Sequence, residues 1–179
     1  MDDKRDRFEA QVLPHLDAAY RFARWLGAAG ADAEDVVQEA FLRAFRAFDS
    51  LRGTDVKGWL LTIVRNCHAT AARQQRRAPA PLPEEEAAPL ATLMSDAPDP
   101  QSATLADEAE RTLAQLIATL PQQHREVLLL REMEELSYRE ISQVTQLPIG
   151  TVMSRLARAR AALKSQYLQQ QPGAPRAVR

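Results

Sequence analysis

The sequence predicts an all-α protein built as two small helical domains joined by a flexible acidic linker, and three observations carry that expectation. Apolar residues recur at spacings of three and four over two long stretches, roughly 8–77 and 105–168. Between them, residues 78–104 hold six of the eleven prolines and the run Glu84, Glu85, Glu86, with no hydrophobic period. Proline's extended bias and the missing apolar stripe argue against a fold for that segment. Charge is also segregated. Residues 1–77 carry a net +2, residues 78–110 a net −8 and residues 111–179 a net +5, all hidden inside a total of −1. A near-neutral whole therefore conceals a basic C-terminal part suited to a polyanionic partner.

The first helix is expected from Phe8 to about Leu26, with Val12, Leu16, Ala19, Tyr20, Ala23 and Leu26 on one stripe and Gly27 and Gly30 ending it. Asp32 offers an N-cap to a second helix reaching about Phe48, whose buried face is Val37, Phe41, Ala44, Phe45 and Phe48. Asp35, Gln38, Glu39 and Arg43 lie largely away from that face, and from the residues alone Glu39 and Arg43 read as an exposed i, i+4 pair. The stretch 49–55, DSLRGTD, has turn composition. A third long helix follows, with Leu60, Ile63, Val64, Cys67 and Ala71 inward and Asn66, Thr70, Arg73 and Arg77 along a polar face flanked by Arg76. Arginines in its last turns also suit the negative end of the helix dipole. Trp59 reads as core.

After the linker, Ala109, Leu113, Leu116, Ile117 and Leu120 resume helical spacing, and Pro121 resets the chain into a further helix, 122–133. These two helices are expected to pack under the stretch 136–163, LSYREISQVTQLPIGTVMSRLARARAAL, which reads as a helix-turn-helix. Ser137 and Glu140 fit a capping box, in which hydroxyl and carboxylate satisfy the amides that open a helix. Pro148 fits the first turn of a second helix after a turn at 145–147. There Ile149, Val152, Leu156, Ala159 and Leu163 form a packing face, while Thr151, Ser154, Arg155 and Arg158 share another arc. Guanidinium and hydroxyl groups match major-groove base edges and phosphates, and no Asp or Glu occurs from Ile141 to Arg179. An amphipathic hairpin with a merely solvated basic face is the plainer reading of the same pattern. The tail from Gln169 reads as disordered.

Other classes fit less well. Cys67 is the lone cysteine, so an internal disulfide and a multi-cysteine zinc site are excluded, and a reducing, cytoplasmic setting is the default. The charged start, MDDKRDRFEA, lacks the apolar core of a signal peptide, and no window approaches a membrane span. Neither HExxH, a phosphate-cradling glycine loop nor a catalytic triad signature is present, so an enzyme, a metal site and a cofactor are not expected.

Together the two ends resemble the extracytoplasmic-function (ECF) group of bacterial sigma-70 factors. LPIGTVMSRLARARAAL at 147–163 is similar to the family's PxGTVxSRLxRAR recognition helix, and LPQQHREVLLLREMEELSYREIS upstream is similar to its LPxxxReVxxLrxxxglsyxEIA. DAEDVVQEAFLRAF at 32–45 resembles region 2.2, and WLLTIVRN at 59–66 the start of region 2.4. The resemblance implies region 2 over residues 8–77 and region 4 over 105–168. It implies a transcription initiation factor that binds core RNA polymerase and directs promoter recognition and melting, without a cofactor, monomeric when free and held by an anti-sigma factor. Asp35, Gln38, Glu39 and Arg43 match the helix that docks on the polymerase, which replaces the plain ion-pair reading. Arg52, Gly53, Thr54 and Asp55 match a loop that captures a flipped base of the minus-ten element, and Asn66, Thr70, Arg73, Arg76 and Arg77 match the helix that meets that element. Thr151, Ser154, Arg155 and Arg158 match the face that reads the minus-thirty-five element. The acidic linker resembles the strand that threads toward the polymerase active-site channel. Ser142 departs from the family's small Ala, Gln146 from its turn Gly, Thr70 from a frequent Asp and Leu51 from a frequent Phe. A free-standing helix-turn-helix regulator and a protein-binding helical adaptor are the competing readings.

Overall fold

A computed structural model describes residues 2–27, 30–75 and 105–170, and these form eight α-helices: α1 Asp2–Val12, α2 Leu16–Trp25, α3 Gly30–Ala47, α4 Val56–Gln75, α5 Leu105–Thr119, α6 Gln122–Glu132, α7 Tyr138–Thr145 and α8 Ile149–Gln170. The all-α expectation holds. The expected linker, 78–104, lies outside the described residues, as do Arg76, Arg77 and the tail beyond Gln170.

The N-terminal helix differs from its expectation. One helix over Phe8–Leu26 is replaced by α1 and α2, joined by a 3-10 turn, Leu13–His15. Pro14 supplies no N–H and its ring crowds the carbonyl of the preceding turn, so a continuous helix is costly there. The break rotates the stripe. Leu16, expected inside, is 44% exposed, whereas Ala18, Ala19, Phe22 and Ala23 are buried. Asp32 falls within the first turn of α3 rather than capping it. Phe45, also expected inside, is 39% exposed and meets Phe8 edge-on at 5.2 Å between ring centroids. Leu113 and Ile149 are likewise on the outside of their stripes.

In the N-terminal half, α2, α3 and α4 pack mutually around Phe22, Leu60, Leu61 and Val64. Behind the linker, α6, α7 and α8 pack around Val127, Leu130, Ile141, Val144, Val152 and Leu156, with α5 lying on α8. These are not two separate cores. α4 packs on α7 and α2 on α6, so the buried apolar residues of both halves form one cluster. Two 60–70-residue bundles each bury too little surface to be secure alone, and joining their cores relieves that shortage.

Candidate nucleic-acid interface

The helix-turn-helix is assembled by local chemistry. Ser137 Oγ accepts from the Glu140 N–H at 3.2 Å, and the Glu140 carboxylate takes the Ser137 N–H at 2.7 Å, which is the expected capping box. Those bonds to Ser137 hold the Glu140 carboxyl below its usual range. α7 ends with Gln146 in the left-handed conformation, φ 59°, a region that favours glycine. Two of the four departures from the family pattern, Ser142 and Gln146, meet here. The Ser142 hydroxyl donates to the Leu147 carbonyl, the Leu147 N–H donates to the Ser142 carbonyl at 3.2 Å, and Gln146 Nε2 donates to the Gln143 carbonyl at 2.9 Å. Side chains thus brace a turn that glycine would otherwise ease. Ser142→Ala is expected to cost about 1 kcal/mol, the usual worth of such a bond, read as a lower urea midpoint with an unchanged slope.

α8 then starts immediately after Pro148, whose carbonyl accepts from Thr151 and Val152. Val152, Leu156 and Ala159 are at most 1% exposed. On the other arc Ser154 and Arg158 are exposed and Thr151 and Arg155 half-buried, so the four predicted reading residues share one surface. The Ser154 hydroxyl donates to the Thr151 carbonyl at 3.0 Å. Arg155 also faces inward electrically. It helps stabilise the buried Glu126 carboxylate, whose pKa is pushed up by burial and drawn back by Arg65 and Arg155.

In the N-terminal half, Arg52, Gly53 and Thr54 are exposed in the loop before α4. Gly53 has φ 101°, which requires glycine's freedom. Asp55 does something the sequence did not announce. Its Oδ1 accepts the Gly58 N–H at 2.8 Å and so caps α4, and a Cβ on Gly58 would run into that carboxylate. Asn66 and Arg73 are exposed on α4, and the Thr70 hydroxyl donates to the Asn66 carbonyl at 2.9 Å.

The four residues assigned to polymerase docking divide over two sides of α3. Gln38 lines an apolar groove of about 370 Å³ with Phe8, Leu13, Leu42 and Phe45. Asp35, Glu39 and Arg43 line a second cleft together with Thr70 and Cys67, so Thr70 shares a cleft with residues expected to dock on the polymerase as well as a helix with residues expected to meet DNA. Arg43 Nε donates to Glu39 Oε1 at 2.6 Å. Burial pushes the Cys67 thiol up, opposed by the Arg43 charge. His68, beside it, is buried on α4, and burial together with Arg125 of α6 lowers its pKa.

Sequence reasoning missed the charged seam between the halves. The side chains of Glu126 and Glu134 are 7% and 2% exposed and pair with Arg65, Lys57 and Arg21 of the first half. Nothing in the spacing of Glu126 or Glu134 distinguishes a buried partner from a solvated one.

Comparison with known proteins gives a consistent set of matches. Residues 12–78 match the family model of sigma-70 region 2, and residues 110–163 that of sigma-70 region 4. The RNA polymerase sigma-H factor of Pseudomonas aeruginosa is 40% identical over 137 residues, covering 74% of this chain and 71% of that protein. The ECF RNA polymerase sigma-E factor of Escherichia coli K12 is 36% identical over 138 residues, covering 74% and 72%. Among solved structures, the sigma factor RpoE in complex with the anti-sigma factor NepR from Bartonella quintana superposes with a TM-score of 0.71 at 26% identity, over 92% of this chain and 99% of that one. CnrH in complex with the cytosolic domain of CnrY shares the fold, with a TM-score of 0.66 at 24% identity over 93% and 91%.

Proposed function

This chain belongs to the ECF group of the sigma-70 family, and from that membership we propose that it is a transcription initiation factor that binds core RNA polymerase and directs promoter recognition and melting. The observation that carries the reading is α8: a dry face of Val152, Leu156 and Ala159 fixes the helix, while Thr151, Ser154, Arg155 and Arg158 are left for a groove. Arg52, Gly53, Thr54 and Asp55, with Asn66, Thr70 and Arg73, are assigned to the minus-ten element. Arg76 and Arg77 continue that assignment beyond the described residues. Unstacking a base costs a few kcal/mol, so a loop that holds one favours the opened strand. Asp35, Gln38, Glu39 and Arg43 are assigned to the polymerase. The protein acts as a polymerase subunit rather than an enzyme, in the cytoplasm; no helix among the described residues is long and apolar enough to cross a membrane. The Bartonella quintana sigma factor solved with the anti-sigma factor NepR supports the same kind of control here.

Core-polymerase capture followed by run-off transcription tests the assignment. Promoter-directed transcripts that require this chain are expected. Failure to bind core, or a stable dimer that footprints an operator without polymerase, would overturn it. Within that system Glu39→Ala is expected to weaken core binding about five- to tenfold, the effect of truncating one useful interface side chain, while leaving promoter preference unchanged. Glu39 and Arg43 are both roughly half exposed, so their mutual pair contributes only a few tenths of a kcal/mol to the fold, and thermal stability serves as the control.

A further inference from the structure

The seam between the halves is charged where it is driest. Glu134, in the turn after α6, has a side chain 2% exposed, with Oε1 accepting from Arg21 Nη2 at 3.3 Å and Oε2 lying 2.8 Å from Lys57 Nζ. Lys57 also donates to the Glu134 carbonyl at 2.9 Å. Glu126, at the centre of α6, pairs with Arg65 Nε of α4. Beside it Arg125 Nη1 donates to the Trp25 carbonyl at the end of α2, 3.4 Å away. In both ion-pair clusters the acid comes from the C-terminal half and the cations from the N-terminal half. A carboxylate taken out of water is tolerable only while its partners stay. Each cluster therefore binds the halves together and fixes one relative placement, which an apolar seam alone does less strictly.

We propose that Glu134 with Lys57 and Arg21, and Glu126 with Arg65, form a latch that holds the free chain closed, in a form unable to engage both promoter elements at once. Closure itself is independent of the promoter reading; its consequence rests on it. Elements centred about 25 base pairs apart at roughly 3.4 Å each lie about 85 Å apart. A closed body of this size has a radius of gyration near 14 Å, and is therefore only about 40 Å across. The chain from residue 75 to residue 105 reaches at most about 100 Å when fully extended, so an opened latch permits the span. Free protein is thus kept from competing for isolated elements, and whatever opens it must displace two buried carboxylates from three cations.

The test is energy transfer within the full-length chain in a Cys67→Ala background, with dyes on Asp17→Cys of α2 and Gln122→Cys of α6. The expected result is a single high-transfer population. Glu134→Lys, which sets like charges against Lys57 and Arg21, is expected to lower the closed-to-open ratio at least about a hundredfold, near the lower end of what breaking a buried pair costs. Adding Lys57→Glu to Glu134→Lys restores high transfer, with circular dichroism reporting that the helices remain. Low transfer in the parent chain, or unchanged high transfer in folded Glu134→Lys, overturns the latch. Should Glu134→Lys fail to fold, Lys57→Glu and Arg65→Glu, whose side chains are 28% and 29% exposed, must each give the low-transfer state. High transfer in both overturns the proposal.

Discussion

Replacing Arg155 and Arg158 together by alanine is expected to reduce transcription from promoters that depend on the minus-thirty-five element by about a hundredfold. Each guanidinium at a base edge or phosphate is worth about 1–3 kcal/mol, so two at the lower part of that range multiply to this effect. The two arginines are not equivalent. Arg158 is exposed on α8, and its loss alone is expected to weaken DNA binding with no change in stability. Arg155 is half-buried and also supports the Glu126 carboxylate, so its loss carries a structural cost as well. Binding by the holoenzyme measured against salt separates the contributions, since each lost phosphate contact lowers the logarithmic salt slope by about one. Retained activity on such promoters with both arginines gone would remove α8 from the recognition surface.

Leu156→Ala is expected to lower the unfolding free energy by about 3 kcal/mol, the middle of the range for truncating a fully buried leucine. Leu156 is 1% exposed, on the inward face of the same helix whose outer face carries the arginines. For a domain stable by about 5–15 kcal/mol, that is a large share. Met153, one turn away and 51% exposed, supplies the contrast: Met153→Ala is expected to stay within about 0.5 kcal/mol of the parent. Urea unfolding of the two variants side by side distinguishes a buried knob from a surface side chain. Because the cores of both halves form one cluster, the loss is expected to appear when unfolding is followed through Trp25 or Trp59 as well as through overall helicity.

Local chemistry was the legible part of this chain. Ser137 and Glu140 announce their capping box because both partners lie three residues apart, and Val152, Leu156 and Ala159 announce a buried face because helical spacing places them together. The break at Pro14 was written in the sequence as well, yet the apolar stripe running through it outweighed the missing N–H, and Leu16 came out exposed. Phe45 is exposed for a related reason, since periodicity gives a face without saying where the neighbouring helix stops covering it, whereas Asp32 falls inside α3 because that helix already begins at Gly30. Nothing local could have shown the seam. Glu134 and Lys57 are 77 residues apart, and only the packing of α4 on α7 and α2 on α6 makes them partners. Of the candidate site, the shared outer arc of α8 followed from spacing, whereas the docking and strand-opening assignments came from family resemblance, since exposed polar side chains look alike without their partner.

The Asp55–Gly58 cap has a bearing on how such a protein changes over generations. The carboxylate that starts α4 also ends the loop carrying Arg52, Gly53 and Thr54, and the absent side chain of Gly58 is what lets it approach. Arg52 and Thr54 are exposed ahead of that fixed anchor. They are open to single-step substitution without shifting the register of the helix behind them. Asp55 and Gly58 form a coupled pair that tolerates change only together. With the loop assigned to the opened strand as proposed, a lineage built on this scaffold can drift in which strand it prefers while inheriting an unchanged frame for opening it.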